Sequence, residues 1–194
     1  MTLDSPKEIY LDNAATTSMR QEVVDEMVPY FSENYGNPSS LYSIAQIARD
    51  AVDESRENVA KILNCKPSEI IFTSGGTESD NMAIIGVAKA LKEMGGHIIT
   101  TKIEHHAVIH AMEELESIGF RISYLNVDEA GFINLDELES EIKNDTSLVS
   151  IMLANNETGA IQDLPKISQI IKNKAKDLQR KFIFIVMLFK LLAN

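Results

Sequence analysis

One feature constrains this chain more than any other: short apolar runs alternate with stretches of helical period, and the links between them are brief. EIIFTS (residues 69–74), HIITT (97–101), FRISYLNV (120–127) and SLVSIMLA (147–154) read as strands buried on both faces. Between them lie helical stretches. ESDNMAIIGVAKALKEM ends at Gly95-Gly96, AVIHAMEELESIG is closed by Gly119, and LDELESEI follows Gly131. In DLPKISQIIKNKAKDLQ, Asp163 is placed to cap the helix and Pro165 sits in its first turn. Two amphipathic stretches, 21–32 and 41–63, come earlier, parted by the turn-forming YGNPSS. Alternation of this kind predicts an α/β fold in which helices wrap a mostly parallel sheet. By the same rhythm another strand is due at about residue 182.

Charge and cysteine usage narrow the function classes. The formal net charge of -11 repels phosphate backbones and anionic lipid, which argues against nucleic-acid or membrane-surface binding. Cys65 is the single cysteine, so no internal disulfide forms and a reducing compartment is expected. The N-terminus, MTLDSPKEIY, has no apolar core of a signal peptide, and the longest closing apolar run, Phe182 to Phe189, is eight residues. A membrane span needs about 20. The expected location is cytoplasmic.

Three loops carry candidate chemistry. In FTSGGTESDN (72–81) a strand runs into Gly75-Gly76 and Thr77 opens a helix; free N–H groups, the helix dipole and a hydroxyl together can cradle a phosphate. The same residues can be a plain turn, with Thr77 and Asp80 as a helix cap. In KIEHHAVIH (102–110), His106 and His110 stand four apart, a spacing that can share a metal, but no third ligand is evident and no metal is expected. His105 there offers a flat ring for stacking, or is simply exposed. NNETG (155–159) follows a strand end, where open parallel sheets bind ligands; Asn155 and Asn156 can bond a ligand or merely shape a polar turn.

YLDNAATT (10–17), YGNPSSLY (35–42), FTSGGTESDN (72–81), EHHAVI (104–109) and ANNETGAIQD (154–163) together resemble, in order and spacing, the N-terminal half of the NifS/IscS-like cysteine desulfurases of the class-V aminotransferases. The resemblance covers roughly residues 9–181. It implies the fold type I of pyridoxal 5'-phosphate (PLP)-dependent transferases, here as a truncated large domain, and usually a homodimer. It implies removal of sulfur from L-cysteine, giving alanine and a protein persulfide for iron–sulfur cluster or thio-cofactor assembly through a sulfur-acceptor scaffold protein. By this resemblance, residues 1–18 belong to the small-domain, substrate side and 19–181 to the PLP-binding large domain. Gly76 and Thr77 correspond to the phosphate contacts, His105 to the catalytic imidazole that stacks on the PLP ring, and Asn156 to the partner of its phenolic oxygen. Asn13 and the Ala14-Ala15 turn resemble the segment beside the substrate.

The sequence also departs from the family. The Schiff-base lysine, the Asp and Gln near the pyridine nitrogen, the persulfide-forming cysteine and the carboxylate-binding arginine have no counterparts here, and Cys65 reads as an incidental helix-end residue. The closing run FIFIVMLFKLLAN (182–194) replaces the expected strand and its Asp-Ala-Val-Gln…Gly-Lys motif. One permitted codon set for it, read two bases later, spells YFHCDAVQAIGK. The expectation is therefore an out-of-frame tail, with a genuine buried apolar strand as the alternative. The expected fragment holds half a PLP site, has no turnover by itself, and is poorly soluble or partly unfolded. The alternative is a non-catalytic decoy module that pairs with a full-length relative.

Overall fold

The computed structural model describes residues 9–188. The chain divides into two compact units, Met1–Phe72 and Thr73–Asn194.

The first unit is helical. Helix α1 spans Gln21–Met27, α2 Pro29–Ser32 and α3 Ser43–Leu63. The single helix expected over 21–32 is thus broken in two. Pro29 has no N–H to continue α1, but it suits the first turn of α2, where that donor has no intrahelical partner anyway. The YGNPSS loop is held by Arg49 of α3, which donates from Nε to the Pro38 carbonyl and from Nη2 to the Ser40 carbonyl, both at 2.8 Å. Asn64, in the left-handed conformation (φ 52°), ends α3, and Cys65 follows it with its N–H bonded to the Ala60 carbonyl.

The strand expected over 69–74 does not form. A 3-10 turn, Pro67–Glu69, leads into an extended but unpaired stretch in which Ile71 is 67% exposed. Apolar content alone does not make a strand; its N–H and C=O groups need a neighbouring ladder. Here Arg56 substitutes locally, donating to the Ile70 carbonyl and lying over the Phe72 ring.

The second unit is a three-layer α/β/α sandwich. It runs α4 (Gly76–Ala90), β1 (His97–Thr101), α5 (His106–Ser117), β2 (Arg121–Leu125), α6 (Leu135–Glu141), β3 (Thr146–Met152), α7 (Leu164–Asp177) and β4 (Ile183–Met187). The sheet order is β2-β1-β3-β4, and every pairing is parallel. One face packs Ile98, Leu148 and Met152 against Ile84 and Ala88 of α4 and Val108, Met112 and Leu115 of α5. The other packs Ile99, Val149 and Ile151 against Leu138 of α6 and Ile167 and Ile171 of α7. Neighbouring residues of one strand enter opposite cores, as the period of two requires. The cap expected at Asp163 is present: its carboxylate accepts from the Lys166 N–H at 3.2 Å. Gly95 is obligatory in the link into β1, because a Cβ there would stand 2.1 Å from the Asp145 carbonyl oxygen.

At the N-terminal end of the sheet, fully buried His97 bonds Thr146 Oγ1 through Nδ1 (2.8 Å) and Ser123 Oγ through Nε2 (2.9 Å), so one ring links three strands. Burial pushes its pKa down to about 4, which keeps the ring neutral. β4 includes part of the 182–194 run and lies in register along β3 from Leu148↔Ile183 to Met152↔Met187. Residues 189–194 of that run lie outside the described residues.

Candidate functional site

The chain passes from β1 outward to β2, then crosses back to place β3 on the other side of β1. That reversal opens a crevice between the carboxyl ends of β1 and β3, the place where open parallel sheets take ligands. α4 packs on the same sheet and feeds β1 through the Gly95-Gly96 turn, so its N-terminus lies at this carboxyl end as well.

Two loops are joined across the crevice. Asn155, beyond β3, donates from Nδ2 to the Ile103 carbonyl beyond β1 at 2.8 Å. Its Oδ1 accepts from the N–H groups of Glu157 (3.0 Å) and Thr158 (2.8 Å) and from the Thr158 hydroxyl (3.1 Å). Both ends of the Asn155 amide are thereby spent, Oδ1 on the turn itself and Nδ2 on the crossing to Ile103. The half-buried Asn156 side chain makes no hydrogen bond among the described residues, so of the two asparagines it is the one left for a ligand.

His105 caps α5: its Nδ1 accepts from the Ala107 N–H at 3.1 Å. A neutral ring with that acceptor carries its proton on Nε2, which makes Nε2 the donor. The His106 and His110 rings lie 5.9 Å apart, and among the described residues no three histidine, cysteine or acidic groups gather as a metal site.

α4 begins on Gly75 with no side-chain cap, which leaves the first N–H groups, at Gly76, Thr77 and Glu78, without intrahelical acceptors. Thr77 is exposed, and neither Gly75 nor Gly76 has a neighbour within 4 Å of an added Cβ. The Thr77–Asp80 cap considered from the sequence is not what forms. Glu78 accepts from both the Ser74 N–H and hydroxyl at 2.7 Å, bonds that hold its carboxyl below its ordinary pKa. Asp80 instead lies inside the helix, where burial raises its pKa against the opposing charge of His105.

Glu104 was missed as a site residue. It lies next to His105 in the quoted EHHAVI, but nothing in the spacing shows that a charged residue there turns inward. It is buried, its Oε1 accepts from the Met152 N–H (2.8 Å) and the Thr101 hydroxyl (3.1 Å), and burial pushes its pKa up to about 7. Glu104 Oε2, Asp80 Oδ2 and Thr100 Oγ1 are buried without a hydrogen-bond partner among the described residues. Asn13 and Ala14-Ala15 belong to the first unit, where Ala15 N–H bonds the Asp12 carbonyl at 3.1 Å.

A family model described as aminotransferase class-V matches residues 9–178. The chain belongs to that family. Similar proteins include the cysteine desulfurase IscS of Clostridium botulinum, 51% identical over 168 residues, 87% of this chain and 42% of that protein. The cysteine desulfurase IscS of Neisseria meningitidis is 46% identical over 187 residues, 96% and 44% respectively. Among solved structures, a NifS-like protein aligns with a TM-score of 0.88 at 42% identity, over 93% of this chain and 48% of that one. SspA in complex with cysteine aligns at 0.81 and 38% identity, over 90% and 49%. The chain thus spans less than half the length of the relatives it matches.

The family is PLP-dependent, and the described residues fit one flank of that cofactor. The uncapped start of α4 with two glycines suits a phosphate. The His105 ring, fixed by its capping bond, suits a planar ring. Asn156 holds an unengaged amide for an oxygen.

Proposed function

We propose that this chain carries the N-terminal part of a PLP-dependent cysteine desulfurase and holds half of its cofactor site. What supports the reading above all is the meeting of the loops bearing His105 and Asn156, beside the uncapped start of α4, at the one crevice the strand order creates. Gly76 and Thr77 would bind the phosphate through their N–H groups and the Thr77 hydroxyl. His105 would lie against the ring and, with Nδ1 spent on the Ala107 N–H, would hold or hand on a proton at Nε2. Asn156 orients the phenolic oxygen. When bound, PLP supplies an electron sink for bonds at the substrate's α-carbon. The substrate is L-cysteine, the location cytoplasmic, and the working form a homodimer that passes sulfur to an acceptor protein.

These 194 residues by themselves hold PLP without turning over cysteine, because the lysine that tethers the cofactor and the persulfide-forming cysteine have no counterparts in them. Adding PLP and treating with borohydride tests this: no lysine of the chain should be modified above background. Modification at one specific lysine, or alanine release from cysteine, refutes it. Thr77→Ala and His105→Ala should each weaken PLP binding about tenfold, read by fluorescence titration, and unchanged binding refutes the placement. The out-of-frame reading of 182–194 rests on the codon argument alone. The nucleotide sequence tests it: no shifted frame encoding an Asp-Ala-Val-Gln motif means the reading fails.

A further inference from the structure

We propose that Glu104 is a positioning residue for this site, a buried side chain whose one oxygen locks the loop carrying His105 onto the strand end that leads to Asn155 and Asn156. The inference rests on reading that crevice as the site. Glu104 Oε1 bonds the β1 end through the Thr101 hydroxyl at 3.1 Å and the β3 end through the Met152 N–H at 2.8 Å. One residue on is His105; three residues past Met152 is Asn155, whose amide returns across the gap to the Ile103 carbonyl at 2.8 Å. The two loops are therefore cross-linked twice, once through a backbone carbonyl and once through the Glu104 carboxyl. The second link is the one that can change its charge.

The leftover atoms around it indicate which form is native. Thr100 stands two residues from Ile98 and so faces the α4/α5 side of the sheet, where Asp80 of α4 also lies. Three buried oxygens, Glu104 Oε2, Asp80 Oδ2 and Thr100 Oγ1, have no hydrogen-bond partner among the described residues, and two belong to carboxyls. An ionised Glu104 adds a second negative charge beside Asp80, and the one donor among the three atoms, the Thr100 hydroxyl, makes no bond to either carboxyl. A proton on Oε2 removes that charge, adds a donor facing Asp80, and leaves Oε1 free to keep both loop bonds. The charged group facing Glu104 is Asp80 from α4, which in turn faces His105 at the start of α5; β3 offers a backbone N–H, that of Met152. Both Oε1 bonds of this clamp hold in the neutral form, and they strengthen on ionisation while the charge draws water to Oε2.

The test is a pH titration of the 15N-labelled full chain, following the Met152 backbone amide and the Asn155 side-chain amide, with Glu104→Gln and Glu104→Ala alongside. Both signals should move together with a midpoint at about 7 in the unsubstituted chain. Glu104→Gln keeps an acceptor oxygen and no charge, so both signals should stay at their low-pH positions throughout. Glu104→Ala should speed exchange of the Met152 amide about tenfold, the effect of one lost hydrogen bond. A joint transition that survives Glu104→Gln belongs to Asp80 or His105 and overturns the proposal, as does Glu104→Gln behaving like Glu104→Ala. Adding PLP separates the two readings. If PLP leaves the Thr77 and Ala107 amides unmoved while Met152 titrates as expected, the site reading fails and the clamp stands. If PLP moves them but Met152 does not titrate, the clamp fails alone.

Discussion

The two units of this chain contain similar amphipathic helices, yet only one of them builds a core. Among the described residues of the first, the buried apolar residues are Ala45, Ala48 and Ala60, while Leu11, Phe31, Leu41 and Ile62 are each more than 70% exposed. The second buries whole isoleucines, leucines and methionines on both faces of its sheet. The difference lies in the surface each helix meets. α4 to α7 each face a sheet that is apolar on that side, whereas α1, of seven residues, and α2, of four, are too short to hold their own fold and present stripes with little to cover them. A helical period is a request for a partner surface, and the first unit lacks a large one. The expectation of a partly unfolded chain therefore localises to residues 9–72.

The largest effect that would break this contrast is in hydrogen exchange. Amides of β1 and β3 should exchange at least about a thousandfold more slowly than in an unfolded chain, and those of α1 and α2 within about tenfold of it. Equal protection in α1 and β3 would end the distinction. Side-chain truncation sharpens it next. Leu148→Ala, at a fully buried position between α4, α5 and the sheet, should cost about 3 kcal/mol in urea unfolding, and Ile62→Ala, on the exposed face of α3, less than about 0.5 kcal/mol.

A pH effect of intermediate size separates the two ends of the sheet in the second unit. His97 stays neutral when folded down to about pH 4, while the unfolded chain takes up its proton near 6.5, so its contribution is lost as pH falls through that window. Glu104 keeps its proton when folded up to about pH 7, while the unfolded chain loses it near 4.5, so its contribution is lost as pH rises. Between about 4.5 and 6.5 the two slopes oppose each other, and stability should be nearly flat. Glu104→Gln removes one of them. Stability should then rise by about 2 kcal/mol from pH 4.5 to 6.5, measured by urea midpoints; a flat profile in that variant would show that His97 is not held neutral. The smallest effect belongs to Arg121 and Asp145, a half-exposed ion pair at 2.9 Å whose removal by Arg121→Gln should cost about 0.5 kcal/mol and vanish in high salt.

Most of the second unit was legible because period and punctuation agreed. HIITT is β1 to the residue, and Asp163 caps α7 as its position before Pro165 implied. EIIFTS differs because its composition suits a strand while no described strand pairs with it, and no local signal reports whether a neighbour will be there. Of the loops, Thr77, His105 and Asn156 were visible as polar residues at strand–helix junctions. The division of labour between Asn155 and Asn156 was not, since it depends on the Ile103 carbonyl 52 positions away. Glu104 and Asp80 were invisible for the same reason: burial of a charge is decided by what packs over it, and α4 packs there from outside the local window.

Strand β4 pairs with β3, and no described strand flanks it on the other side. Its outward N–H and C=O groups form a half-closed zipper, indifferent to which extended apolar segment completes it. A second β4 serves as well as any other. The yield of this chain as a monomer should therefore fall as its concentration climbs, through copies that join edge to edge rather than through loss of the sheet itself.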